Sequence, residues 1–148
     1  MGKRLIGYMI TWTTYGTWLQ GDNRGYVKNG QVLKPCEILE QANKERLKSK
    51  PIRLSRRQKI IVEKAIREKA KELGQNIPAL AVYSNHIHIA AETIALPIEK
   101  IVGHYKNAAR VALRKNGFKE RLWARGFDKR FCFNQQELQR KVKYVERH

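Results

Sequence analysis

The sequence has few acidic residues, few cysteines and no long apolar run. Only 13 of its 148 residues are Asp or Glu, against 31 Lys and Arg, so the formal net charge is +18. Cys36 and Cys132 lie far apart and fit no metal or redox spacing, which predicts reduced thiols and excludes a disulfide scaffold. No apolar stretch approaches the roughly 20 residues of a membrane span, and no long apolar signal segment opens the sequence. We therefore expect a cytoplasmic protein without membrane association.

The excess of positive charge predicts an anionic partner. Charge repulsion of this size destabilises a compact chain, and nucleic acid is the first candidate to offset it. A membrane surface, or a role for the charge in solubility alone, is the alternative. A hydrophobic content of 42% indicates a folded globule rather than a disordered tail.

Patterning along the chain predicts one domain, residues 1–148, of the α+β class. Neither a repeat nor a low-complexity linker divides it. Strands are predicted for residues 5–14 and for two runs within 79–91, with an extended segment at 122–133 and a hairpin at 26–33 that turns at Asn29-Gly30. Helices are predicted at 35–48, from Ser55 to Gly74, from Pro97 onward and from Asn134 to the C-terminus. This alternation favours a ferredoxin-like antiparallel sheet with helices packed on it.

The segment Asn85-His86-Ile87-His88-Ile89 is the first candidate for chemistry. Alternate side chains of a strand share a face, so His86 and His88 would project together while the isoleucines enter the core. Two neighbouring imidazoles can bind one divalent ion, with other ligands completing its coordination. Two histidines on a solvated strand face remain the alternative, because His-x-His alone is a weak signal. A third alternating histidine, typical of histidine-triad nucleotide hydrolases, is replaced by Ala90.

The run from Tyr83 to Ile89 resembles the His-hydrophobe-His signature of single-tyrosine (HUH) transposases, which include insertion-sequence and REP-associated tyrosine transposases. Residues 10–18, 101–106 and 122–127 are similar to further stretches of the same family. The resemblance implies a catalytic tyrosine on a helix, followed four residues later by a polar metal ligand that is commonly Gln or Asn.

Two tyrosines after the histidine pair compete for the catalytic role. Helical geometry puts Tyr105 in the middle of the apolar stripe of its predicted helix, which is a core position. Tyr144 points roughly 100° away from the stripe of the last predicted helix, and His148 follows one turn later on the same face. We therefore predict Tyr144 as the nucleophile and His148 as the third metal ligand, in place of the usual amide.

The resemblance implies a metal-dependent DNA transposase that nicks and rejoins single-stranded DNA through a 5′-phosphotyrosine, with His86, His88 and His148 binding Mg²⁺ or Mn²⁺. It implies single-stranded or hairpin DNA as the partner, a nucleoid-associated location and a homodimer that exchanges tyrosine helices. The DNA-binding candidates are basic residues with interleaved aromatic ones that could stack on bases: Tyr15, Trp18, Arg24, Lys106, Arg110, Arg114, Arg121, Trp123, Arg125, Lys129 and Arg130.

Two other functions stay open at this point. A nucleic-acid-binding protein could keep the fold without cleavage, and a metal-dependent phosphoesterase could act on small nucleotides without forming a covalent link to its substrate. A covalent adduct that depends on Tyr144 would distinguish the transposase from both.

Overall fold

A computed structural model describes residues 4–17, 26–28, 31–33 and 51–147 of the chain. Its strands are β1 (Gly7–Thr13), β2 (Tyr26–Lys28), β3 (Gln31–Leu33), β4 (Ala79–Val82), β5 (His86–Glu92) and β6 (Asp128–Cys132). Its helices, within those residues, are α1 (Arg56–Leu73), α2 (Ile98–Lys115) and α3 (Gln135–Arg147). None of these helices is long and apolar enough to cross a lipid bilayer.

The main sheet has the strand order β4-β5-β1-β6, and every neighbouring pair is antiparallel. In chain order its elements are β1-α1-β4-β5-α2-β6, which is the split β-α-β pattern of ferredoxin-like folds. The predicted α+β class and ferredoxin-like sheet are therefore confirmed. A further helix, α3, follows the last strand and packs on the face of the sheet opposite α1 and α2.

Local signals in the sequence account for the helix ends. Ser55 accepts a hydrogen bond from the Gln58 N–H while the Gln58 side chain accepts one from the Ser55 N–H, so a capping box begins α1. Gly74 ends that helix at φ 70°, in the left-handed region that glycine adopts without strain. Asn134 caps α3 by accepting from the Glu137 N–H at 2.8 Å. The predicted starts and stops are thus confirmed for these helices.

Strand alternation divides the sheet into two faces. Tyr8, Ile10 and Trp12 of β1 join the large core beneath α1 and α2. Met9, on the opposite face of β1, packs instead with Val142 and Val145 of α3. The apolar stripe predicted for the last helix therefore contacts the sheet.

Two predictions are met only in part. Strands β2 and β3 pair as a hairpin, with Lys28 opposite Gln31, but Asn29 and Gly30 lie outside the described residues, as does the helix predicted at 35–48. The segment predicted to be extended at 122–133 forms a strand only from Asp128, and Trp123 contributes a single bridge to Thr14.

Candidate active site

The two histidines lie at the start of β5, on the face of the sheet covered by α3. Their imidazole centroids are 4.8 Å apart, with the ring planes at 78°. Ile87 and Ile89 are fully buried in the core on the other face, as strand alternation requires. The structure therefore brings His86 and His88 together in the way that the sequence pattern predicts.

Each imidazole is hydrogen-bonded through Nδ1. His88, which is buried, has its Nδ1 2.8 Å from the Thr11 Oγ1 of the neighbouring strand. His86 is half-buried, and its Nδ1 lies 2.8 Å from Asn85 Oδ1. Asn85 Oδ1 can only accept, so it favours a neutral His86 with its proton on Nδ1 and its lone pair on Nε2. The Thr11 hydroxyl can donate or accept, so its contact with His88 fits either tautomer of that imidazole.

Tyr144 lies against this pair from the last helix. Its ring centroid is 5.7 Å from that of His88, in an edge-on arrangement at 79°. Leu138, Val142 and Val145 pack against the sheet, and Tyr144, on an adjacent side of α3, keeps 44% of its surface exposed. The phenol is thus beside an imidazole of its own chain and still accessible to a large substrate.

Tyr105, the competing tyrosine, lies on the other side of the sheet. It is fully buried among the core residues, and its hydroxyl donates to Gln75 Oε1 at 2.5 Å. Burial, with Tyr8 nearby, raises its pKa well above that of an exposed phenol. A phosphate cannot reach this hydroxyl while the core is intact.

Tyr83 and Thr11 are two residues of the site that sequence reasoning missed. The Tyr83 ring stacks on His86 at 4.5 Å, with an interplanar angle of 24°, and lies 6.0 Å from His88. Its pKa is raised, first by burial and then by the proximity of Tyr144. The signal for Tyr83 was its position directly before the turn into β5, and for Thr11 it was the alternation along β1. Both depend on which strands pair, which the sequence does not state.

The metal site is incomplete among the described residues. In 4–17 and 51–147, no group of three His, Cys, Asp or Glu side chains could hold an ion. His148, the third predicted ligand, lies outside the part of the chain that is described. The two imidazoles are nitrogen donors of the kind that binds divalent transition ions, and they fit part of a coordination sphere.

Several predicted DNA-binding residues have contacts within the protein. The Lys106 ammonium donates to the carbonyls of Ala124 and Gly126 at 3.1 and 2.8 Å, and burial lowers its pKa. The Arg121 guanidinium lies 4.5 Å above the ring of Tyr15.

Trp123 lies in the core. It packs edge-on against Trp12 at 5.8 Å and donates its indole N–H to the Lys106 carbonyl, so stacking on a base would require it to leave this position.

The other candidates lie on the surface or outside the described residues. Arg110, Arg114 and Arg125 are exposed, and the first two are one turn apart on α2. Two more form ion pairs with carboxylates: Lys129 with Glu99 at 3.4 Å and Arg130 with Asp128 at 3.2 Å. Trp18 and Arg24 fall in the part of the chain that is not described.

Comparison with known proteins identifies the class of protein that this fold and site define. A family model described as IS200-like transposase matches residues 44–148. The chain therefore belongs to the IS200-like transposase family. No curated protein sequence matches it significantly.

Nine chains of known structure match the fold. One is a REP-associated tyrosine transposase bound to a REP hairpin, with a TM-score of 0.55 and 11% identity over 98% of this chain and 67% of that one. Another is a Deinococcus radiodurans R1 protein provisionally assigned as a transposase, with a TM-score of 0.50 and 14% identity over 99% of this chain and 94% of that one. At these identities the two structures show a shared fold.

Proposed function

We propose that this transposase nicks and rejoins single-stranded DNA with Tyr144 as the nucleophile. The observation that carries the proposal is the contact of the Tyr144 ring with His88, which itself contacts His86, on an accessible face of the sheet. A phenol beside two imidazoles can attack a phosphate that the same imidazoles help to hold. The contact forms between residues of one chain.

In the proposed reaction Tyr144 Oη forms a bond to the scissile phosphorus as the bond from phosphorus to the 3′ oxygen breaks. The phenol loses its proton, and the departing oxygen takes one up to become a free 3′-hydroxyl. The 5′ side of the nick stays attached as a phosphotyrosine. A 3′-hydroxyl from another strand can then attack that phosphorus and release the phenol, so rejoining needs no nucleotide cofactor.

His86 and His88 would hold a divalent metal ion together with His148. Such an ion, Mg²⁺ or Mn²⁺, would withdraw charge from the phosphate oxygens when bound. His86 and His88 would orient the phosphate against Tyr144. His88 is buried and His86 is half-buried, which limits the access of water to the imidazoles.

The proposed substrate is single-stranded DNA beside a hairpin. One structural neighbour is bound to a REP hairpin, and this chain has the same fold and a net charge of +18. Exposed arginines such as Arg110 and Arg114 would contact phosphates of such a substrate.

The deciding experiment compares Tyr144→Phe with Tyr105→Phe. A 3′-labelled hairpin oligonucleotide with single-stranded flanks is incubated with each protein and Mn²⁺, and covalent adducts are resolved on a denaturing gel. Tyr144→Phe should form no adduct and still bind the oligonucleotide. Tyr105→Phe loses the same atom from a tyrosine that we place outside the site, and it should form the adduct.

Two other outcomes identify the rival functions. Binding without any adduct from the wild-type protein, with several hairpins and with both ions, would favour a non-catalytic nucleic-acid-binding protein. Cleavage without protein attachment that persists in Tyr144→Phe would favour a phosphoesterase.

A further inference from the structure

The buried imidazole of the pair is hydrogen-bonded to a side chain of the central strand. Thr11 and His88 are directly opposite in the antiparallel pairing of β1 with β5. Both are 7% exposed, and Thr11 Oγ1 lies 2.8 Å from His88 Nδ1. This contact joins residues 77 positions apart, so it exists only because the two strands pair in this register.

The neighbour of Thr11 along the same face of β1 is apolar and offers its hydroxyl no hydrogen-bond partner from its side chain. The next residue on the same face of β1, toward the strand start, is Met9, which packs with Ala90, Val142 and Val145. A buried hydroxyl in such a place costs free energy unless it is hydrogen-bonded. The bond to His88 is therefore a reason for threonine at this position rather than the isosteric valine.

The structure assigns to Thr11 the role of a positioning residue for His88, an assignment that rests on the proposed function. In this role the contact of Thr11 Oγ1 with Nδ1 fixes the ring against the neighbouring strand, and the hydroxyl accepts the Nδ1–H in the tautomer that leaves the lone pair on Nε2. His88 then presents Nε2 for metal or phosphate in one orientation. Asn85 Oδ1 makes the corresponding contact with His86, but from an adjacent residue rather than from another strand.

Metal-binding histidines in other proteins indicate how much the loss of this hydrogen bond should weaken metal binding. Groups that hydrogen-bond the second nitrogen of a metal-binding histidine fix its tautomer and orientation, and their loss weakens metal binding by about 10- to 100-fold. Thr11→Val removes the hydroxyl and keeps the side-chain volume. Thr11→Ser keeps the hydroxyl and removes a methyl group.

The matched control is Thr13→Val. Thr13 lies two residues further along β1 on the same face, is 6% exposed and donates its hydroxyl to the Thr17 carbonyl at 2.8 Å, not to an imidazole. Both valine variants replace a buried, hydrogen-bonded hydroxyl, so a loss caused by destabilisation alone should appear in both. Urea unfolding measures that destabilisation directly.

The first measurement is Mn²⁺ binding to the purified full-length protein by electron paramagnetic resonance. Only binding that disappears in His88→Ala counts as binding at the site. Thr11→Val should weaken it by about 10- to 100-fold. Thr11→Ser should largely restore it, and Thr13→Val should bind as the wild type does.

The second measurement is independent of metal and DNA. In ¹⁵N-labelled protein above the imidazole pKa, His88 should carry its proton on Nδ1, and Thr11→Val should mix the two tautomers. A proton on Nε2 in the wild type overturns the assignment, as does equal loss of Mn²⁺ affinity in Thr11→Val and Thr13→Val.

The results that would reject the proposed function differ from those that would reject the role of Thr11. A wild-type protein with no adduct and no Mn²⁺ binding that depends on His88 would reject the function, and the tautomer comparison would still decide whether Thr11 orients the ring.

Discussion

The two tyrosines that follow the histidine pair differ in what surrounds their hydroxyl groups. Tyr144 is 44% exposed beside His88, whereas Tyr105 is fully buried and donates to Gln75. The helical periodicity of the sequence distinguished them because burial on a helix follows the 3.6-residue repeat. The same difference has a measurable effect on stability at high pH.

We predict that the free energy of unfolding falls above about pH 10, and that Tyr105 accounts for part of the fall. Burial raises the pKa of Tyr105 in the folded protein, while in the unfolded chain it ionises near its ordinary value. The stabilisation from the protonated phenol is therefore complete below that ordinary value and is lost as the pH rises toward the folded pKa. One such group contributes at most about 1.4 kcal/mol per pH unit.

Urea unfolding of the wild type and Tyr105→Phe across this pH range measures the contribution. Near neutral pH the variant should be less stable by about 1–3 kcal/mol, because Gln75 Oε1 loses its donor. The two stabilities should converge as the pH increases, since the variant has no phenol to ionise. Parallel curves would contradict the prediction.

The residues of the candidate site were predictable to different degrees. His86 and His88 share a face by strand alternation alone, and the exposed position of Tyr144 follows from helical periodicity. Thr11 was not predictable, because its contact depends on the register between two strands far apart in the sequence. The stacking of Tyr83 on His86 depends on the geometry of the turn between β4 and β5.

At the level of elements, the position of α3 determines where Tyr144 lies. Leu138 at the start of this helix packs over Gly7 at the start of β1. A Cβ atom on Gly7 would lie 2.9 Å from Leu138 Cδ1 and 2.7 Å from the Ala91 carbonyl oxygen. The glycine is therefore required for the close approach of α3 to the sheet and not for an unusual backbone angle.

Gly7→Ala should destabilise the protein by about 1–3 kcal/mol, the usual cost of overpacking a core. The contact with the Ala91 carbonyl oxygen should disturb the pairing of β1 with β5, and the contact with Leu138 should displace α3. Adduct formation through Tyr144 should therefore slow. Urea unfolding and the rate of adduct formation measure the two effects.

The matched control is Gly103→Ala, in the exposed middle of α2, where a Cβ would meet nothing within 4 Å. Removing this helical glycine should stabilise the protein by about 0.5–1 kcal/mol. An unchanged rate of adduct formation in Gly7→Ala would show that α3 does not depend on this contact.

Helix ends and strand alternation were predictable because their causes are local, such as the Ser55 cap and Gly74. The start of the last strand was not predictable: aromatic residues occur along the whole of 122–133, but after a single bridge from Trp123 to Thr14 the continuous pairing with β1 begins only at Asp128. Pairing with a distant strand decided this boundary, and composition does not report it.

At the level of the whole molecule, the positive charge is not equally available to a partner. Lys129 and Arg130 contact carboxylates, and the Lys106 ammonium donates to backbone carbonyls. Arg110 and Arg114 are exposed on α2, and the Arg110 guanidinium donates to the neutral Asn107 side chain at 2.7 Å. Binding to DNA should therefore depend on particular residues more than on the total of +18.

We predict that Arg110→Gln and Arg114→Gln each reduce the slope of log affinity against log salt concentration by about 0.7 for single-stranded DNA. Each phosphate contact releases counterions, so the loss of one contact lowers the salt dependence whatever the base sequence.

Lys69→Gln is the control because it removes the same charge from a lysine paired with Glu72 at 2.7 Å. Fluorescence anisotropy over a salt series gives the slopes. If all three variants lower the slope equally, the total charge of the protein governs binding and the two arginines make no specific contact; if only the arginine variants do so, the exposed face of α2 lies on the path of the DNA.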